Sequence, residues 1–301
     1  MADTNTLDAN RAYFNKLASE YDARFEKTVT QLIDEIQKRR YFISVDWIED
    51  DDSDEETEGR PAAKEKKEEQ SPIRLLDYAC GTGLVSRALA QYTTQCVGVD
   101  LSENMAGAYN ARAENQGLSK DEMFAYHGIF TDPKDPNPAA FAGPEFHNFD
   151  VAAVGLGFHH FDDPAFAAKQ LAARLKPGGV LFILDFLPHP PVGGGDHGHG
   201  HDHSHSHSHS HGHGAEGHGH GHSHSHSHPD FSAEADTTPS EAVPTVMHHG
   251  FSEEQMRTIF EGAGVGKDFA LAEMGDGVVF QGGKGGQSMK RRIFLARGVK
   301  A

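Results

Sequence analysis

From Ile73 onward, short apolar segments alternate with amphipathic ones, and this alternation constrains the fold more than any other feature of the sequence. Strands are predicted at 73–79, 96–100, 123–130, 150–157 and 180–186. Helices are predicted at 84–92, 102–116, 164–175 and 252–265. Two strands are predicted to close the chain, one at 268–274 extending toward 278–280 and one at 291–299. We therefore predict an α/β fold with a Rossmann-like, doubly wound, mostly parallel sheet and a C-terminal antiparallel strand pair.

The remaining sequence divides into segments of different composition. Residues 1–48 form an N-terminal helical segment, because apolar residues recur at three- and four-residue steps over 8–44. Residues 49–71 form an acidic insertion and residues 189–245 a histidine-rich insertion, and both are predicted to be disordered because they offer little apolar surface to bury. The predicted core then consists of residues 72–188 and 246–301.

A glycine turn links the first predicted strand to the first core helix. Gly81 and Gly83 permit a tight turn, and the helix that follows offers free backbone N–H groups to a ligand. Asp77 precedes the turn, where it either holds the loop from below or contacts a cationic amino-acid group. Asp100 ends the second strand, where a carboxylate can accept hydrogen bonds from both ribose hydroxyls of an adenosine group. The alternative role of Asp100 is that of a turn carboxylate.

These motifs resemble those of class I S-adenosylmethionine-dependent methyltransferases, including the small-molecule and quinone-type enzymes. The similar segments are "LLDYACGTG", "VGVDLSENM", "FDVAAVGLGFHHFDDP" and "LKPGGVLFILDF", joined by "FNKLASEYD" near the start and "HHGFSEEQMRTIFEGAGV" near the end. The resemblance covers about three quarters of the chain, everything outside the two insertions. A dinucleotide site fits less well, because the third glycine position of its fingerprint is Ser86.

The resemblance implies S-adenosyl-L-methionine as the cofactor. It assigns Gly81 and Gly83 to the methionine end, Asp100 to the ribose and Leu101 to the adenine, with Asp77 and Ala79 in the same loop. Ala79 stands where many similar sequences have glycine. Gly128 and Ile129 stand where many have an acid that binds the adenine amine, so the adenine contact is left open.

The resemblance also makes residues 1–48 a lid over the cofactor, with Tyr21 in contact with it. Tyr13 and Phe14 share that role or simply pack within the helix. Both alternatives stay open at this point.

Histidines follow the fourth predicted strand. His159 or His160 could take a proton from the methyl acceptor, because ligands bind at this end of such a sheet. Their alternative role is to cap the strand or shape the pocket. His248 and His249 form a second pair, which either reaches the pocket mouth or forms a surface turn.

Fifteen histidines lie between Asp196 and Pro229, among them His197, His199, His201, His203 and His205. Neutral imidazoles bind zinc, nickel and copper, so weak binding of these metals is predicted. The tract either buffers metal or is an expanded low-complexity loop.

The formal charge of −18 disfavours a nucleic acid as partner, because phosphate backbones would be repelled. No segment is long and apolar enough for a membrane span, the start is polar and there are only two cysteines, so a cytoplasmic location is expected, with the nucleus left open. A small molecule is the expected substrate. The alternatives are a protein methyltransferase and a metal-binding protein on the same scaffold, and the oligomeric state is left unknown.

Overall fold

The structure is a computed structural model that describes residues 4–48, 71–189, 245–274, 277–281 and 288–301. Nearly all of the predicted acidic insertion and of the histidine-rich insertion lies outside these residues. The predictions of disorder and of metal binding at His197–His205 therefore stay predictions.

The main sheet has seven strands, and their bounds are β1 Arg74–Tyr78, β2 Gln95–Asp100, β3 Met123–His127, β4 Phe149–Gly155, β5 Leu175–Phe186, β6 Lys267–Glu273 and β9 Ile293–Val299. Their order across the sheet is β3-β2-β1-β4-β5-β9-β6. Strands β1 to β5 are parallel to one another, whereas β9 is antiparallel to both β5 and β6. The predicted mostly parallel, doubly wound sheet with an antiparallel C-terminal pair is confirmed.

Helices cover both faces of this sheet. Their bounds are α1 Thr4–Lys38, α2 Arg40–Ile43, α3 Leu84–Leu89, α4 Glu103–Asn115, α5 Pro164–Arg174 and α6 Glu253–Gly262. Apolar residues of α3, α4 and the C-terminal half of α1 pack on one face, and those of α5 and α6 pack on the other. Strand β4 is buried along nearly its whole length, as expected for a central strand covered on both sides.

Side chains cap the starts of α4 and α6. The Ser102 hydroxyl accepts a hydrogen bond from the Met105 N–H at the start of α4. At the start of α6, Ser252 and Gln255 form a reciprocal capping box. Each cap satisfies backbone N–H groups that have no partner inside the helix.

The end of the chain differs from the prediction. Residues 278–281 do not extend β6: they form β7, Val278–Gln281, which pairs antiparallel with β8, Ser288–Arg291, in a separate two-stranded sheet. The chain turns away after Met274, where the Gly277 N–H donates to the Met274 carbonyl and Gly277 has a φ of 83°. This left-handed conformation suits glycine.

Candidate active site

A cleft opens at the carboxyl ends of β1, β2 and β4, beside the N-terminal half of α1. It encloses about 1120 Å³ when its open mouth is included. Its walls come from residues 78–82 after β1, 100–101 after β2, 129–133 after β3, and 155–157 and 160–163 after β4. In doubly wound sheets, ligands bind outside the carboxyl ends of the strands.

The loop between β1 and α3 forms the floor of this cleft. Gly81 has a φ of 53°, and a Cβ atom added there would meet no other atom within 4 Å, so it would project into open space. Gly83 has a φ of 94°, caps α3 and lies against the ring of Tyr109 rather than in the cleft. The turn therefore uses both glycines, one for an open floor and one for close packing.

Asp100, at the end of β2, ties two loops together while it lines the cleft. One carboxylate oxygen accepts a hydrogen bond from the Gly81 N–H and the other from the Ser102 N–H, both at 2.8 Å. The side chain is only 8% exposed, and burial raises its pKa to about 6 although these two bonds act in the opposite direction. Its neighbour Leu101 also lines the cleft.

Asp77 lies under the glycine turn and is not among the residues that line the cleft. One carboxylate oxygen accepts hydrogen bonds from the Ser86 N–H at 3.0 Å and the Ser86 hydroxyl at 2.7 Å, which ties β1 to the first turn of α3. Asp77 is 1% exposed, and burial raises its pKa to about 7. A cofactor contact by Asp77 stays a prediction.

Helix α1 crosses the strand ends and is anchored to the segments that follow β1 and β2. Asp22 accepts a hydrogen bond from the Thr82 hydroxyl at 2.8 Å and pairs with Arg112 and Arg87. Asn15 accepts hydrogen bonds from the Ser102 hydroxyl and the Asn104 N–H at the start of α4. These contacts hold the predicted lid against the glycine loop and the first turn of α4.

Tyr21 and Phe14 of α1 both line the cleft, whereas Tyr13 does not. Tyr13 packs edge-on against Phe14, with 5.1 Å between ring centroids. Burial, followed by the nearby charge of Asp22, raises the pKa of Tyr21 to about 12, so its hydroxyl stays protonated. The structure thus places two of the three predicted lid aromatics at the cleft.

The histidine pair after β4 splits between two environments. His160 lines the cleft, and its Nδ1 lies 2.6 Å from the Thr245 carbonyl oxygen. His159 is 6% exposed and lies outside the lining, where its Nδ1 is 2.8 Å from Asp185 Oδ1 and its backbone N–H donates to Asp185 Oδ2. Burial opposes ionisation of Asp185, but its contacts with His159 outweigh burial and hold its pKa below the usual range. Of the two predicted catalytic candidates, only His160 reaches the cleft directly.

The second histidine pair supports the strand-end turn. The His248 N–H donates to the His159 carbonyl, and His248 Nε2 lies 3.0 Å from the Phe161 carbonyl oxygen. Neither His248 nor His249 lines the cleft. Within the described residues, no group of three or more histidine, cysteine, aspartate or glutamate side chains is arranged to hold a metal ion.

Several cleft residues were missed by the sequence predictions. Asn10 and Leu7 reach the cleft from the first turns of α1, and Thr131 and Pro133 reach it from the connection after β3. A polar residue within an amphipathic helix carries no sequence signal of this kind. Its position at the cleft depends on how α1 crosses the sheet.

A glycine loop and a strand-end carboxylate facing one cleft place the chain in the Rossmann-like class. Residues 56–265 match the family described as methyltransferase domain. The match covers more than two thirds of the chain, and the chain belongs to this family.

The curated relatives align with a shorter part of the chain than the family model does. An uncharacterized methyltransferase of Schizosaccharomyces pombe is 34% identical over 118 residues, which are 39% of this chain and 40% of the relative. A ubiquinone biosynthesis O-methyltransferase of Coxiella burnetii is 34% identical over 108 residues, 36% of this chain and 41% of the relative. The chain thus spans well under half the length of these relatives. A crystal structure of the YcgJ protein from Bacillus subtilis matches 76% of this chain and 92% of its own at 14% identity, with a TM-score of 0.44.

None of the helices in the described part of the chain combines the length and the apolar character that a membrane span requires.

Proposed function

We propose that this protein transfers the methyl group of S-adenosylmethionine to a small molecule bound in the same cleft. The proposal rests on one observation: the Gly81 turn and the Asp100 carboxylate line the same cleft, and α1 forms one of its walls. Membership of the methyltransferase domain family supports the reaction type. The similarity to a ubiquinone biosynthesis O-methyltransferase supports a small-molecule acceptor.

The residues present fit this cofactor. Over Gly81 there is open space that any side chain would take up, which suits the close approach of a methionine tail. The Asp100 carboxylate is positioned for the ribose hydroxyls, since each of its oxygens has further lone pairs beyond the single backbone hydrogen bond. Leu101 and Ile129 offer apolar walls for the adenine ring. When bound, the cofactor supplies an already activated methyl group.

The protein's own task is then alignment and exclusion of water. An in-line displacement needs the attacking atom within about 3–3.5 Å of the methyl group, in a site that keeps water away. Phe14, Tyr21 and Phe161 provide apolar walls around the cleft. His160 orients the acceptor from the β4 side, and His159 with Asp185 acts as a positioning pair beneath it.

His160 works as a neutral hydrogen-bonding group in this scheme. Burial, followed by the nearby charge of His159, lowers the pKa of His160 to about 3. A base with so low a pKa removes protons poorly near neutral pH. The acceptor therefore binds through His160 as a neutral group, and the proton that it loses on methylation leaves to solvent rather than to His160.

Binding of S-adenosylhomocysteine, the demethylated cofactor, tests the proposal by calorimetry. Asp100→Asn is expected to weaken binding roughly ten- to hundredfold, because hydrogen bonds to a charged partner are worth about 1.5–3 kcal/mol each. Since the pKa of Asp100 is about 6, wild-type affinity should fall as the pH drops below 6, whereas the variant's affinity should change little.

Asp150→Asn is the matched control. Asp150 is also buried and accepts a backbone hydrogen bond, from the Arg74 N–H. It lies near the N-terminal end of β4, however, at the edge of the sheet opposite to the cleft. Its substitution should leave the affinity unchanged. Folded wild-type protein that binds neither S-adenosylmethionine nor S-adenosylhomocysteine would contradict the proposal.

Labelled methyl transfer separates the acceptor classes. Incubation of the protein and methyl-tritiated S-adenosylmethionine with a cell lysate should place the label in the solvent-extractable fraction. Label that appears in precipitated protein instead would favour the alternative of a protein methyltransferase.

A further inference from the structure

The side-chain oxygen of Asn10 is buried and has no hydrogen-bond partner among the described residues. The residue lies in the early turns of α1, is 6% exposed and lines the cleft. Its Oδ1 is enclosed and accepts no hydrogen bond from any residue that the structure describes. Buried polar side-chain atoms nearly always have a partner, so an exception at a binding cleft points to a ligand.

The orientation of this amide is set by its other end. Asn10 Nδ2 donates to the His160 carbonyl oxygen at 3.3 Å. A carbonyl oxygen can only accept, so the nitrogen must face it and the oxygen must face away. Asn10 therefore presents an acceptor and not a donor at the cleft.

His160 presents a second acceptor nearby. Its Nδ1 lies 2.6 Å from the Thr245 carbonyl, which requires the proton on Nδ1 and leaves a lone pair on Nε2. Two neighbouring side chains that both line the cleft thus offer acceptors.

The surroundings of these acceptors are aromatic. Phe14 packs edge-on against the His160 ring, with 5.2 Å between centroids. Phe161 packs against Tyr78 at 5.8 Å, and both line the cleft. Flat apolar walls around a few placed polar groups are typical of a site for a planar small molecule.

We propose that Asn10 determines acceptor specificity: its Oδ1 accepts a hydrogen bond from a hydroxyl or N–H group of a planar methyl acceptor held between the aromatic walls. This inference rests on the proposed methyltransferase function and names the chemical class of its acceptor. A site built to pair with such a donor rejects analogues that lack it, because the buried acceptor would then stay unpaired.

Phenol and anisole are the test probes, because they share a ring and differ in the hydroxyl donor. Their dissociation constants are measured by protein-observed NMR titration of the full chain, with and without S-adenosylhomocysteine. The quantity compared is the anisole-to-phenol ratio of dissociation constants. In Asn10→Leu, which keeps the side-chain size but removes the acceptor, this ratio is expected to fall roughly five- to tenfold.

Gln31→Leu is the matched control. Gln31 also lies on α1 and donates its side-chain amide to a backbone carbonyl, that of Gly277, but it does not line the cleft. Its anisole-to-phenol ratio should equal that of the wild type. If Asn10→Leu does not fold, Asn10→Ala provides the same comparison.

An unchanged ratio in the Asn10 variants, or a wild type that binds both probes equally or neither, would overturn the inference. The result is independent of the cofactor, because the titration without S-adenosylhomocysteine is read separately. Loss of cofactor binding with a retained phenol preference would defeat the proposed function alone. Cofactor binding without that preference would defeat only the role of Asn10.

Discussion

Two buried carboxylates next to the glycine turn differ in what they hold. Asp100 joins the loops after β1 and β2 at the cleft, whereas Asp77 joins β1 to α3 through Ser86. Tyr109 extends the second network by donating its hydroxyl to the Ser86 hydroxyl at 2.8 Å. Because burial raises the pKa of Asp77 to about 7, this network changes its charge near neutral pH.

Asp77 is expected to make stability fall as the pH rises. Its ordinary pKa is 3.8 and its folded pKa about 7, so between these values the unfolded chain releases the proton while the folded protein keeps it. The stability that Asp77 contributes is therefore complete below pH 3.8 and is lost as the pH rises through about 7.

Asp77→Asn isolates this effect, because asparagine keeps an acceptor for Ser86 but does not titrate. The free energy of unfolding is measured with urea at pH 4.5 and at pH 8 for both proteins. From pH 4.5 to pH 8, that of the wild type should fall by roughly 1 kcal/mol or more relative to that of the variant. If the free energies of unfolding of the wild type and the variant differ by the same amount at both pH values, Asp77 is ionised in the folded state at both.

Among the secondary-structure elements, α1 decides the shape of the cleft. Its amphipathic pattern over 8–44 predicts a helix, and the structure has α1 at Thr4–Lys38 followed by the short α2. The pattern does not say which loops the helix meets. Those contacts come from Asn10, Asn15 and Asp22, each of which bonds to a different strand-end segment.

Asp22→Ala should loosen the N-terminal half of α1. The variant loses the Thr82 hydrogen bond and the pairing with Arg112 and Arg87, which should cost roughly 1–2 kcal/mol of stability. Faster amide hydrogen exchange is expected in α1 before residue 30 and at the start of α4.

Glu35→Ala provides the comparison on the same helix, because within the described part of the chain Glu35 pairs with Lys38 and Arg39 in the next turn. Such local pairs are worth about 0.3–0.5 kcal/mol, so exchange in the rest of α1 should not change. Equal effects of the two substitutions would argue against Asp22 as an anchor between elements.

Across the whole molecule, charge is distributed unevenly along the sequence. The formal charge is −18, and one added proton on each of the 22 histidines would take it to +4. Fifteen of these histidines lie in residues 196–229 together with three acids and no lysine or arginine. The histidine-rich tract therefore controls whether the molecule can reverse its charge in mildly acidic solution.

Deletion of residues 196–229 is expected to move the solubility minimum to lower pH. The shortened chain has a formal charge of −15 and stays at −8 after protonation of its seven remaining histidines. The full chain should be least soluble as histidines titrate, near their ordinary pKa of about 6.5 and below. Turbidity measured between pH 4 and 8 checks this, and identical profiles for the two chains would contradict it.

How far the sequence alone leads depends on whether a feature is local. Strand and helix positions, the Ser102 and Ser252 caps and the glycine turn follow from residues close together in the chain. The path after Met274 does not, because the separation of β7 from β6 depends on pairing with β8 and on contact with α1. For the same reason the single predicted strand at 291–299 begins as β9 only at Ile293.

The sequence by itself determined the mostly parallel sheet and the glycine turn and carboxylate at the ends of β1 and β2, because hydrophobic period and turn chemistry are properties of neighbouring residues. Only the tertiary structure decided that His160 lines the cleft while His159 turns toward Asp185, and that Asn10 meets His160 across 150 positions of the chain. The contact of Asn10 depends on how α1 crosses the sheet, and the contact of His159 depends on the pairing of β4 with β5. Packing between distant elements leaves no periodic pattern in the sequence.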